Sequence, residues 1–384
     1  MTLHHLTHWA DPHHVDQALL RAGNALWHRE TAEYHGHTDF CDPFDVFLTE
    51  AQRAEYYDRD FVVMTETPAP GAPASGGVGG PEGNTTVNLG GSDSTPAVVT
   101  GFLQVSYPLK DNTHLAFVWI VAAERSTSIT TQLLAEAEKL ATQRGRTTLM
   151  EWTDHREAAD GEPAMEAATG VGRINPTDSV ATAYLTSGWT LEQTERHSIL
   201  QLPADQAKLD EFAAASRSAA HPEYDLVWWT DRTPDEFLDG HVRLSQAMST
   251  DVPQGDLDMQ ETDQTPERVR YMEDSLAATG KGYLAVAARH IATGDLAGYT
   301  RVDYPFDRPE AVFQEATLVR KGHRGHRLGM WMKADMLSRL QEIRPQARRL
   351  HTWNASENDY MLSINIALGF ELHTVEAAWQ KKIA

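Results

Sequence analysis

The chain is poor in three things, and each shortage closes off a class of protein. Its 384 residues include one cysteine, Cys41, so an internal disulfide and a thiolate metal cluster are both excluded and a reducing compartment is expected. No apolar run approaches the ~18 residues that a membrane-spanning helix needs. The N-terminal MTLHHLTHWADPHH also lacks the basic start and apolar core of a secretory leader, so a cytoplasmic chain without a membrane partner is expected. Cations are scarce as well: 33 Lys and Arg face 55 Asp and Glu, a formal charge of −22. That balance argues against a nucleic-acid partner, which would require a basic footprint, and leans toward a cationic or amine substrate. Apolar residues are plentiful at 41%, enough at this length for two cores rather than one.

Residues 68–97, PAPGAPASGGVGGPEGNTTVNLGGSDSTPA, hold almost no large apolar side chain and read as a flexible loop at a hairpin tip. The strand-like runs DFVVMTET and AVVTGFLQVSYPL flank it, followed by a strand at 113–123, a helix over 127–144, a strand at 147–153, a helix ending in YLTSGW, and the strand ERHSILQL. A similar order returns later. Residues 283–305 form a hairpin turning at Thr293–Gly294–Asp295, 311–319 a strand, and Leu328, Trp331, Met332, Leu337 and Leu340 one face of a helix that Pro345 stops. The strand RRLHTWNA, the helix NDYMLSINIALGF and the strand LHTVEAAWQKK close the chain. The expected fold class is α/β with one mixed-sheet unit used twice: a domain over 1–205, a linker over 206–224, and a second domain over 225–384.

The most basic run in this acidic chain is RKGHRGHRLGMWMKADML, 320–337, at the start of the second unit's main helix. From Arg320 to Arg349 nine Lys and Arg stand against Asp335 and Glu342. Cations at a helix N-terminus oppose the helix dipole unless an anion lies between them, and Gly325 and Gly329 let that anion approach the backbone. A polyanion site is therefore expected here.

TLVRKGHRGHRLGMWMKADML followed by LHTWNASENDYMLSINIALGF resembles the GNAT superfamily, the GCN5-related N-acetyltransferases. The motif is a strand, then Arg or Gln, two variable residues, Gly, one variable residue, Gly or Ala, then a helix. Arg324 takes its first position and Gly329 its last, while Arg327 stands where the middle glycine is usual. The resemblance implies acetyl-CoA as co-substrate, its pyrophosphate held by Arg324, Gly325, His326, Arg327, Leu328 and Gly329. It implies a pantetheine arm paired with the backbone of Leu318 and Val319, with Asn354 and Asn358 adding contacts. The first half departs from the pattern: ERSTSITTQLL carries Ser126, Ser128 and Thr130 where glycines belong, so a degenerate half that binds cofactor weakly or not at all is expected.

Acetyl transfer to an amine needs a base, a polarised thioester and a proton for the departing thiolate. Val319 is the candidate N–H for the carbonyl and Glu315 the candidate base, with Asp303 a weaker substitute. The family commonly has a tyrosine four residues before the Gly-Phe pair. Asn365 stands there instead, able to hydrogen-bond the sulfur but not to act as an acid, and Tyr360 is off that face.

His35, His37, Asp39 and Cys41 alternate and would share one side if extended, and His4 and His8 have helical spacing, but a polar surface is the favoured reading and no metal is expected. Six carboxylates without a cation, Asp251, Asp256, Asp258, Glu261, Asp263 and Glu267, form either an acidic lip that attracts an amine or a solvated loop. The expectation is an acetyltransferase acting on a primary amine of a small molecule, as monomer or homodimer. A mycothiol synthase-like acetyltransferase is an alternative identity, and a non-catalytic acyl-CoA sensor or assembly protein an alternative of another class.

Overall fold

The computed structural model describes residues 1–67, 85–89 and 96–383. Most of the expected loop 68–97 lies outside them. The chain forms two compact units: residues 1–165, 173–192 and 377–384 make unit 1, and 166–172 with 193–376 make unit 2.

Unit 1 begins with β1 (Thr2–His5), α1 (Val15–His35) and α2 (Phe44–Gln52), then β2 (Tyr57–Glu66), β3 (Thr86–Val87), β4 (Ala97–Pro108), β5 (Leu115–Ala122), α3 (Thr127–Gln143), β6 (Thr148–His155), β7 (Met165–Glu166), β8 (Arg173–Ile174) and α4 (Ser179–Thr186). Its sheet runs β1-β2-β4-β5-β6, antiparallel except for the β5–β6 pair. Leu19, Leu20, Leu26 and Trp27 of α1 pack with Phe61, Val63 and Phe102 of the sheet. Residues 377–384 complete the unit, where the Ile383 amide donates to the Thr147 carbonyl at 2.8 Å.

The remaining elements are β9 (Thr190–Gln201), α5 (Gln206–Ala220), β10 (Tyr224–Thr230), α6 (Asp235–Asp251), α7 (Pro266–Ala278), β11 (Lys281–His290), β12 (Leu296–Pro305), β13 (Ala311–Val319), α8 (Leu328–Ile343), β14 (Arg349–Ala355), α9 (Asp359–Leu368) and β15 (Glu371–Lys382). In unit 2 the order is β9-β14-β13-β12-β11-β10, with β13 and β14 parallel and the other pairs antiparallel. One face packs α5 and α8 through Leu209, Leu328, Met332, Leu337 and Leu340. The opposite face packs α6 and α7 through Phe237, Leu244, Met248 and Leu276 around Tyr283, Tyr299 and Leu318. α7 begins where Thr265 accepts the Arg268 amide at 3.2 Å and Pro266 pre-sets the first turn.

Three expectations are corrected here. Residues 206–224 are not a linker: Asp205 caps α5, and Leu209, Ser216 and Ala220 are buried on unit 2. The units do not divide at 205, because residues 193–205 belong with unit 2 and 377–384 with unit 1. The stretch from His35 to Cys41, favoured as a polar surface, is partly buried: His35 and Asp39 are among the buried polar residues, His35 ends α1 and Gly36 (φ +79°) turns the chain there, and His4 sits on strand β1 rather than on a helix with His8. Among the described residues no helix is long and apolar enough to cross a membrane.

Candidate functional site

β13 pairs with β14 only from Ala311 to Gln314, matched with Arg349 to Thr352. Beyond that point the two strands part, and the edge of β13 from Glu315 to Val319 is left unpaired by β14, with alternate backbone groups turned to the opening. The other edge stays joined to β12, but with a register shift: Arg301 faces Ala316 and Val302 faces Gln314, so Glu315 is an extra residue. Such a bulge re-aims side chains. Ala316 and Leu318 both pack on the α6 side, and the Thr317 hydroxyl meets Thr300 on the α8 side at 2.8 Å. Glu315 and Ala316 therefore share a face, contrary to strict alternation. The buried Gln314 holds the bulge, its amide donating to the carbonyls of Arg301 (2.6 Å) and Ala316 (2.9 Å) and to the Thr300 hydroxyl (3.1 Å).

Glu315 reaches solvent on that face, yet the surrounding strand ends strip part of its hydration and the neighbouring Asp303 carboxylate repels its charge. Its pKa is raised above the usual glutamate range against the pull of Arg301 and Lys281. Asp303 has a different task. Both of its oxygens hold Arg301, at 2.7 and 2.8 Å, while the guanidinium lies 4.4 Å above the Tyr283 ring. The weaker candidate for the base is thus locked in an ion pair.

Beyond Val319 the chain makes one 3-10 turn and reaches α8 through Gly325 (φ +90°) and Arg327 (φ +57°). Arg327 adopts a conformation that glycine takes freely and other residues take at about 1 kcal/mol, which explains why a glycine is usual at that position. No side chain caps α8, so its first amides stay open toward the loop. Around this mouth Lys321 and Arg324 converge on Asp251, the last residue of α6, at 3.1 and 3.6 Å, and Arg324 Nε donates to the Val319 carbonyl at 3.1 Å. His323 Nδ1 lies 2.9 Å from the Tyr224 hydroxyl, and burial together with Arg320 and His290 lowers its pKa. His326 packs its ring 5.1 Å from that of Tyr224.

The structure gathers Leu318, Val319, Arg324, Gly325, His326, Arg327 and Gly329 around one strand end and one helix mouth. The Leu328 side chain turns into the core and only its backbone faces the loop. Asn358 caps α9, accepting the Met361 amide at 3.3 Å, and Tyr360 is 60% exposed. Trp353 stacks on His197 at 4.4 Å and donates to Glu376 at 2.7 Å, making it part of the packed sheet face.

Lys333, one of the nine cations counted toward the expected polyanion site, is 1% exposed. Its Nζ donates to Asn365 Oδ1 at 2.7 Å, Asn365 Nδ2 donates to Asn354 Oδ1 at 2.6 Å, and the Phe370 ring lies 5.3 Å from the ammonium. Burial lowers the Lys333 pKa to about 7. Asn354 follows the last β13–β14 pair by two residues, so the chain of bonds leads from the core to the place where the strands part.

Unit 1 treats the same place differently. β5 and β6 pair from Leu115 to Phe117, after which Glu151 of β6, 2% exposed, accepts the Ile120 amide at 2.7 Å. Burial raises the Glu151 pKa to about 8. Between β5 and α3 the loop is only residues 123–126, against 320–327 in unit 2. Its Arg125 is committed to the Asp154 carbonyl at 2.7 Å and to the Tyr34 ring. Tyr184, four residues before Gly188–Trp189, is fully buried beside Trp379.

No protein-family model matches the sequence, and no curated protein does. Solved structures match over the whole chain. A tandem GNAT protein from the clavulanic acid biosynthesis pathway, solved without acetyl-CoA, aligns with TM-score 0.66 and 22% identity over 99% of this chain and 98% of that one. A GCN5-related N-acetyltransferase from Sphaerobacter thermophilus aligns with TM-score 0.56 and 10% identity over 99% and 95%. At these identities the likeness speaks for architecture, and in architecture the chain has the tandem GNAT fold.

Proposed function

We propose that unit 2 is an N-acyltransferase that moves an acetyl group from acetyl-CoA to a primary amine of a small molecule. The observation that carries this reading is the continuity of an unpaired strand edge, Glu315–Val319, with an uncapped, cation-rich helix mouth. One end suits an amide-containing arm, which adds hydrogen bonds to a free edge; the other suits a diphosphate. Acetyl-CoA supplies the activated acyl group as a thioester. Arg324, Lys321 and the first amides of α8 would hold its phosphates, and the backbone of Leu318 and Val319 its pantetheine. Glu315, on the α6 face, would take the proton that the amine loses as its nitrogen bonds to the acyl carbon and the C–S bond breaks. The raised pKa brings that carboxylate nearer the range where it can exchange a proton at neutral pH.

Unit 1 serves on this reading as a degenerate half. Its loop is too short to wrap a diphosphate, and Glu151 already occupies the amide that an incoming arm would use.

Calorimetric titration of acetyl-CoA into the wild type and into Arg324→Glu tests the proposal. Arg324 is exposed, so the charge reversal leaves the core intact. One site per chain in the wild type, lost in the variant, is the expected result, and turnover with a panel of primary amines then separates an enzyme from an acyl-CoA sensor. No binding by the wild type would overturn the reading, and two sites would overturn the assignment of unit 1.

A further inference from the structure

A lysine side chain buried in a protein core without a carboxylate is expensive, and the other buried positions along α8, Met332, Met336, Leu337 and Leu340, show what packing alone would place there. Lys333 has instead an amide oxygen and an aromatic ring. Lys333 Nζ donates to Asn365 Oδ1, which leaves the Asn365 NH2 to face away from the lysine. One of those N–H groups meets Asn354 Oδ1, and this in turn fixes the Asn354 NH2 away from Asn365. From the lysine outward the two hydrogen bonds run in one direction and end at Asn354, two residues past the last β13–β14 pair.

We infer that Lys333 is a positioning residue that locks Asn365 and Asn354 so that their amide N–H groups stabilise the sulfur of coenzyme A as a thiolate. The device replaces a proton-donating tyrosine by making the departing sulfur a weaker base. This inference rests on the acyl-CoA reading of unit 2. It is supported by the place of Asn365 four residues before Gly369–Phe370, by Asn354 at the edge of the opening, and by the unbroken relay of hydrogen bonds from Lys333 through Asn365 to Asn354.

The test is the thiol titration of free coenzyme A bound to the full chain, followed by ultraviolet thiolate absorbance with the protein alone as baseline, so that Cys41 subtracts out. In the wild type the bound thiol is expected to be more acidic than in free coenzyme A by about tenfold or more in its acid constant, one pKa unit. Lys333→Met and Asn365→Leu should each return it to the free value. The double variant should do no more than either single one, because the residues act as one device. Two singles that leave the acidity unchanged while coenzyme A still binds would overturn the inference and leave the acyl-CoA reading standing. Failure of the wild type to bind coenzyme A would sink both.

Discussion

Arg324 donates its Nε–H to the carbonyl of Val319 across 3.1 Å, so the first residue of the anion loop clasps the last residue of the open strand. The same guanidinium and Lys321 are drawn to Asp251. The carboxylate competes with any phosphate for both cations, and both are largely exposed, so the competition is modest. Asp251→Asn is expected to tighten acetyl-CoA binding by about twofold to fivefold, the range of an exposed ion pair. Calorimetry at low and high salt checks it: the gain should shrink as salt rises. Unchanged affinity at low salt would show that Asp251 does not restrain the loop.

Arg327 carries a positive φ of 57° at the N-cap of α8. A glycine there relieves the contact of Cβ with the backbone and is expected to stabilise unit 2 by about 1 kcal/mol. Denaturant titration of Arg327→Gly measures it at constant slope. A loss of stability would mean that contacts of the arginine side chain outweigh the strain.

Glu315 is competent as a base only when ionised, so the rate should climb with pH through its raised pKa and level off above it. Glu315→Gln is expected to lower kcat/KM about 10²- to 10³-fold and to erase that acid limb. Acetyl-CoA affinity should be preserved, because the side chain projects toward α6 while the phosphate cations lie beyond the strand end. A variant that keeps the limb would move the base elsewhere.

How much of this was legible in sequence depends on whether a residue's role is local. The strands around the helix mouth, the stop at Pro345 and the Gly369–Phe370 turn follow from periodicity and backbone chemistry, and they stand where expected. The bulge was not legible: alternation puts Glu315 opposite Ala316, and only the mismatch in length between β12 and β13 brings them to one face. Lys333 misled for a related reason. Among arginines it reads as one more cation of the polyanion site, and only the packing of α8 against α9 reveals a buried donor. Helices α1, α6 and α7 were passed over because each mixes polar or charged groups into its buried side, such as Asn24, His241 and Glu273.

Glu151 gives unit 1 a pH signature of its own. Its folded pKa, about 8, lies above the ordinary value of 4.5, so between those limits the folded state holds a proton that the unfolded chain has released. Stability must therefore fall as pH rises through this window, with a slope of up to about 1.4 kcal/mol per pH unit, and flatten above it. Glu151→Gln keeps an acceptor for the Ile120 amide but cannot ionise. Its stability relative to the wild type should grow steadily from pH 5 to pH 8 when both are unfolded by denaturant. A difference that does not change with pH would mean that Glu151 is already ionised in the fold, its charge met by groups other than the Ile120 amide.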